Sequence, residues 1–368
     1  MKAKQILVIH PSLGIGGAEK IIAYVANVLS KHYRVTFCTL KKDSITLDLS
    51  DSINVDCVPC YSAQPIIGKN LIRGFESFHN MNIKINKIIQ KYRPDAILCF
   101  DLRVLLSVYL SGAYKNINVI FSERADPYEN PKYWAYILKH IYKKIDYIVF
   151  QTEGARAFYG NNVDSKSTII PNPAFPRINS NLVRDDKRVE KTIFAAGRFQ
   201  RRKGFDLLIR AFDEIHSKYP DYRLLLYGDG EEKNNLLHII DQYKIKGIVI
   251  LPPINGVVEK NINASLFVLP SRSEGIPNIL IEAMMYSIPS VATDCSPGGA
   301  KLLSKNGEYC LLAENDDFHS LSKCMDYALS HINEMTKKAE LAQKSLSRFE
   351  ENKISDMWES TFKLILKG

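Results

Sequence analysis

The chain has 368 residues, 46% of them hydrophobic and 24% charged, and a formal net charge of +9. That length is long for one hydrophobic core and suits two domains, and the ordinary composition excludes a low-complexity polymer. No uncharged apolar run reaches the length of about 18 residues that a membrane-spanning helix needs.

The charge is unevenly placed. Residues 1–180 carry 23 Lys+Arg against 14 Asp+Glu, and residues 181–368 carry 26 of each. The whole excess therefore sits in the N-terminal half and points to a negatively charged partner there. Seven cysteines, odd in number and scattered, argue against a disulfide framework. "CVPC" at 57–60 has neither a second pair nor a histidine cluster, so it reads as two core-lining thiols rather than a zinc or redox site.

In chain order, "QILVIH" (5–10) is a short buried strand. It is too short for the apolar core of a signal peptide, and glycines follow where a cleavage site would be needed, which favours a cytoplasmic protein. Ile21, Ile22, Val25, Val28 and Leu29 then recur at helical spacing over 18–33. Strands follow at 34–40, in "INVDCVPC", at 95–100, 118–123 and 147–152, with helical segments between them. The stretch 169–191, with its prolines, asparagines and charges, reads as an interdomain linker. The alternation restarts with strands at 192–198, 223–228, 248–253, 264–271 and 289–294, and helices over 204–219, 231–243 and 278–287. This is an α/β chain of two tandem Rossmann-like doubly wound domains, residues 1–175 and 190–350. A last helix over 351–368 carries Ile354, Met357, Trp358, Phe362 and Ile365 on one stripe. Ligands bind outside the carboxyl ends of such strands, and two facing sheets place the natural site in the cleft between them.

Four strand-end turns carry chemistry. "GIGGAEK" (14–20) brings Gly16 and Gly17 to a helix start, where backbone N–H groups meet an anion. It is not the dinucleotide fingerprint, because Glu19 stands where the third glycine belongs. "AAGRFQRRKGF" (195–205) holds Arg198 and Lys203, five apart on a strand-to-helix loop, able to converge on one diphosphate. "YGDGEE" (227–232) is a third glycine turn. In "SEGIPNILIEAM" (273–284), Glu274 precedes a helix whose first N–H groups, on Asn278, Ile279 and Leu280, suit phosphate or sugar oxygens. Glu282 lies a little over one turn inside that helix, off the face formed by Ile281, Met284 and Met285. Two carboxylates beside an anion-binding helix end describe a site for a sugar nucleotide.

Taken in order, "GIGGAE", "SERADPY", "IIPNP", "GRFQRRKG", "YGDGEE", "LPSRSEGIPNILIEAM" and "SPGGA" resemble a family 4 glycosyltransferase of the GT-B fold, retaining and of the bacterial surface-polysaccharide type, over essentially the whole chain. The spacing of Glu274 and Glu282 is that family's E-x7-E motif. The resemblance implies diphosphate binding by Arg198 and Lys203, sugar hydroxyls at Glu274, ribose at Glu282, and phosphate contacts near Gly16 and Gly17. It also implies a retaining transfer with no metal and no cofactor beyond the nucleotide-sugar donor, and a C-terminal helix returning to the N-terminal domain. Many relatives carry a histidine where this chain reads Ser122-Glu123-Arg124, which leaves Glu123 and Arg124 as the catalytic candidates of that domain beside Glu274.

The expected activity is transfer of a hexose or N-acetylhexosamine, from a UDP-sugar, to a lipid-linked oligosaccharide of capsule, O-antigen or exopolysaccharide. The alternatives are a GT-B sugar-nucleotide epimerase, or a silent glycosyltransferase-like binding subunit. Two basic amphipathic stretches, 76–92 and 132–147, offer a face for the anionic inner surface of the cytoplasmic membrane. No nucleic-acid module is present.

Overall fold

The computed structural model describes residues 3–14, 17–42, 47–61, 71–175, 182–185 and 188–366. Two compact units emerge, neither of them one continuous stretch. The first comprises Met1–Arg124, Asn130–Pro171 and Asn352–Gly368, and the second Ala125–Glu129 and Asn172–Glu351.

The first unit alternates β1 (Gln5–His10), α1 (Gly17–Ser30), β2 (Arg34–Thr39), β3 (Asn54–Cys57), α2 (Leu71–Tyr92), β4 (Ala96–Cys99) and α3 (Leu102–Leu110). It continues with β5 (Asn118–Ser122), α4 (Lys132–Tyr142), β6 (Tyr147–Phe150), α5 (Glu153–Tyr159) and β7 (Ser167–Ile169). The seven strands lie parallel in the order β3-β2-β1-β4-β5-β6-β7. Ile6 to Ile9 are all fully buried, because successive side chains enter opposite layers and helices cover both.

The second unit runs β8 (Glu190–Ala196), α6 (Phe205–His216), β9 (Arg223–Tyr227), α7 (Lys233–Gln242), β10 (Ile248–Leu251), α8 (Val257–Lys260) and β11 (Ala264–Leu269). Then come α9 (Asn278–Met285), β12 (Ser290–Thr293), α10 (Gly299–Leu303), β13 (Leu311–Ala313), α11 (Phe318–Ser330) and α12 (Ile332–Ser345). Its sheet is parallel in the order β10-β9-β8-β11-β12-β13. Ile193 and Ala195 enter one core cluster and Phe194 the other, so both faces are again covered.

The final helix, α13 (Glu351–Leu366), belongs to the first unit from Asn352 onward. Ile354, Trp358 and Phe362 are fully buried one turn apart, and Trp358 stacks on Phe100 at 6.1 Å. Each such side chain contributes about 1.5–3 kcal/mol relative to exposure, enough to dock the helix. Met357, read as part of the stripe, is exposed instead.

The stretch read as linker meets β7 at Ile169 and β8 at Glu190, and its residues 176–181 and 186–187 lie outside the described residues. One expectation needs correction. Cys57 is not a core thiol: it is exposed at the end of β3 and donates to the Lys41 carbonyl, while Cys60 packs partly against the core. No helix among the described residues is long and apolar enough to cross a membrane.

Candidate active site

In the second unit the strand order reverses beside β8, which pairs with β9 on one side and β11 on the other. Loops leaving the carboxyl ends of β8 and β11 diverge there and open a crevice. The loop after β8 supplies Lys203, and the loop after β11 supplies Glu274. Two glycines allow close approach, Gly204 between the loops after β8 and β11 and Gly299 between the start of α10 and the loop after β11. A Cβ on Gly204 would collide with the Pro270 carbonyl, and one on Gly299 with the Gly275 carbonyl. Gly204 also sits at φ +65°, a conformation that favours glycine.

Glu274 is 8% exposed, and its environment accounts for a carboxylate at that depth. Lys203 Nζ and the Ser271 hydroxyl, at 3.1 Å, both donate to Oε1. Arg202 Nη1 lies 3.8 Å from Oε2. A buried charge left alone would be expelled or neutralised, whereas one that is paired and hydrogen-bonded persists. The Glu274 N–H donates to the Ser296 carbonyl at 3.1 Å, tying its loop to the one after β12. Below it, the hydroxyls of Ser273, at 3.1 Å, and Ser296 donate to the buried carboxylate of Asp126. Arg272 fixes the other flank. Its backbone N–H donates to the Arg202 carbonyl at 2.7 Å and its Nη1 to the Arg201 carbonyl at 2.8 Å.

α9 begins four residues after Glu274. Among the described residues the N–H groups of Asn278 and Ile279 have no hydrogen-bond partner. Open N–H groups at a helix start, with the helix dipole, suit an anion. Leu280 departs from expectation: its N–H already donates to the Pro277 carbonyl at 3.0 Å, because that carbonyl closes the first turn. The Asn278 side chain accepts from Asn172 at 2.7 Å, and Asn172 also donates to the Ile276 carbonyl, which steadies the helix start. Glu282 is half-buried, between the buried Ile281 and Ala283, so it lies off the core-facing stripe. Arg198 is exposed, while Lys203 is committed to Glu274. The structure thus joins Lys203 to Glu274, a pairing the spacing of Arg198 and Lys203 did not suggest.

In the first unit, Gly17 opens α1 and is exposed, and Gly16 lies outside the described residues. Of the two catalytic candidates of this unit, Glu123 is buried and Arg124 half-buried. Glu123 is 2% exposed, and its two oxygens accept the hydroxyls of Tyr159 and Tyr142 at 2.8 Å each. Tyr142 is held protonated far above its ordinary range, by burial first and then by the Glu123 charge. The Arg124 guanidinium lies 4.9 Å from the Phe100 ring centre and 5.6 Å from that of Trp358, and burial pulls its pKa down to about 9. Both side chains are held by the interior of their unit, since the backbone after β5 turns them inward.

Asp126, Ser273, Ser296, Arg272 and Asp206 escaped the sequence reading. The aspartate before proline in "RADP" and the serine before proline in "CSPGG" mark turns, but nothing in their spacing reveals that they meet.

A model described as Glycosyltransferase Family 4 matches residues 15–174, and one described as Glycosyl transferases group 1 matches residues 190–331. An uncharacterized glycosyltransferase of Haemophilus influenzae is 26% identical over 86% of this chain and 87% of its own. The GalNAc-alpha-(1->4)-GalNAc-alpha-(1->3)-diNAcBac-PP-undecaprenol alpha-1,4-N-acetyl-D-galactosaminyltransferase of Campylobacter jejuni is 23% identical over 98% of both. Among solved structures, HepE of Anabaena in complex with UDP and glucose superposes with a TM-score of 0.77 at 16% identity, over 98% of this chain and 99% of that one. Two parallel Rossmann-like sheets, the E-x7-E pair at a strand-order reversal and both matched models lead to one conclusion: the chain belongs to the family 4 glycosyltransferases and has the GT-B fold.

Proposed function

We propose that this glycosyltransferase moves a hexose or N-acetylhexosamine, with retention of configuration and without a metal cofactor, from a UDP-sugar to a lipid-linked oligosaccharide of a bacterial surface polysaccharide. The observation that carries the reading is the Lys203–Glu274 pair in the crevice beside the open start of α9. A donor diphosphate offers Lys203 a stronger partner than one carboxylate, and Arg198 adds a second cation from the same loop. Once Lys203 turns to the diphosphate, Glu274 is released to accept hydroxyls of the transferring sugar. The N–H groups of Asn278 and Ile279 face phosphate oxygens, and Glu282 takes the ribose hydroxyls. Fixed cations and N–H dipoles stabilise the leaving diphosphate with no reorganisation at the moment of transfer.

Support for the donor comes from the UDP and glucose bound by HepE, and for the acceptor from the undecaprenol-linked substrate named for the Campylobacter relative. The first unit, with its excess of cations, takes the acceptor and works at the anionic inner face of the cytoplasmic membrane.

The test is transfer from a panel of UDP-sugars to undecaprenyl-diphosphate-linked saccharides, with the new linkage assigned by NMR. Glu274→Ala should abolish transfer while the fold persists by circular dichroism. Unchanged turnover removes Glu274 from the site, an inverted anomer removes retention, and an epimerised donor without acceptor removes the transferase reading.

A further inference from the structure

Resting on the membrane reading above, we infer that the outer face of α4, and not that of α2, is the surface that meets an anionic bilayer. Both helices are amphipathic and basic in sequence, but the structure treats their outer faces differently.

On α2 two of the three lysines have local employment, while Lys87 is exposed with no ion pair among the described residues. Lys91 pairs with Asp56 at 2.7 Å, and Lys84 donates to the Pro59 carbonyl at 2.8 Å. The other exposed residues include Glu76, Asn80, Asn86 and Gln90, a polar face on which Ile83 is the one large apolar side chain among the described residues.

The outer face of α4 is built otherwise. Leu138, Ile141 and Tyr142 are buried, which turns Tyr133, Tyr136, His140 and Lys143 to solvent at steps of three and four residues. Tyr136 is 80% exposed and Tyr133 45%. Lys143 and Lys144 are exposed and form no ion pair among the described residues. The face extends onto α3, for His140 meets the Tyr109 ring edge-on at 6.2 Å, and Tyr109 stacks on Tyr114 at 4.8 Å. Leu110, next in the chain, is 57% exposed, and Lys115 beside Tyr114 is exposed as well.

Exposed tyrosines with a leucine at one end and free lysines at the other form an interfacial pattern. Tyrosine rings settle at headgroup depth, and lysines reach anionic headgroups. The occupant is identified by charge: all the net positive charge of the chain lies in residues 1–180, and no acidic residue stands on the α4 helix.

The experiment is co-sedimentation of the full chain with vesicles of phosphatidylcholine alone or mixed with phosphatidylglycerol, over a salt series. Lys143→Ala with Lys144→Ala should weaken binding to anionic vesicles about 25-fold at low salt, following the usual contribution of one lysine near a charged surface. Tyr136→Ser with Tyr133→Ser should weaken binding at every salt concentration. Ile83→Ser with Lys87→Ala on α2 should bind as the parent does. The inference is overturned if the α2 variant loses binding and the α4 variants keep it, or if the parent ignores anionic vesicles. Transfer to a short acceptor without lipid, measured on the parent, separates the two readings: transfer with no binding to anionic vesicles overturns the surface alone, and vesicle binding without transfer overturns the proposed function alone.

Discussion

Arg272 grips Asp206 with both arms of its guanidinium, Nη1 to Oδ1 and Nη2 to Oδ2, each at 2.7 Å. Its Nε reaches Asp316 at 2.5 Å, so that all three nitrogens are engaged. Arg272 stands two residues before Glu274, and through the Arg201 and Arg202 carbonyls it also holds the turn that carries Lys203. Arg272 thereby ties the turn that carries Lys203 to the loop that carries Glu274.

Arg272→Lys keeps the charge but loses the planar fork. It should lower kcat/KM for the donor by about 10-fold to 100-fold, the range expected when a charge-assisted hydrogen bond is lost. Asp206→Asn should do the same, and the double variant should be no worse than the poorer single one. Steady-state kinetics of the three variants checks this; additive losses would mean the two residues do not act as a unit.

The same pair predicts an acid limb. Burial, the largest effect on Asp206, pushes its carboxyl up, but the hydrogen bonds and charge of Arg272 outweigh it and leave the group below the usual carboxylate range. A depressed folded pKa contributes stability that is complete above the unfolded value of about 3.9. That contribution is lost as pH falls through the folded value. Urea unfolding between about pH 6 and about pH 2.5 should therefore show the parent losing stability below about pH 4 more steeply than Asp206→Asn. Parallel curves would remove Asp206 from the account.

Much of this was readable in advance. Parallel strands buried on both faces write themselves as apolar runs, and Gly204, Glu274 and Glu282 stand at strand ends and a helix start, where position alone suggests chemistry. β7 and β13, of three residues each, are too short to leave a periodic trace. The missed site residues share another property. Arg272 with Asp206, and Asp126 with Ser273 and Ser296, are contacts between distant segments, and no local pattern encodes which polar side chains meet. The partners of Glu123 were hidden for the same reason, since its two tyrosines arrive from α4 and α5.

Glu123 yields a third prediction. Tyr159→Phe leaves a buried carboxylate oxygen one donor short and should cost about 1–3 kcal/mol in urea unfolding. The donor KM of the folded variant should match the parent. A selective fall in turnover with unchanged stability would place Glu123 in the chemistry instead.

The path of the chain bears on modularity. It passes from one unit to the other after Arg124, Glu129, Pro171 and Glu351. A fragment of residues 172–351 would leave Ser273 and Ser296 without Asp126, and a fragment of residues 1–171 would leave Phe100 without Trp358. Neither unit is an autonomous part that recombination can exchange by a single cut. Exchange of one unit between related chains would therefore need matched cuts at several crossings rather than one.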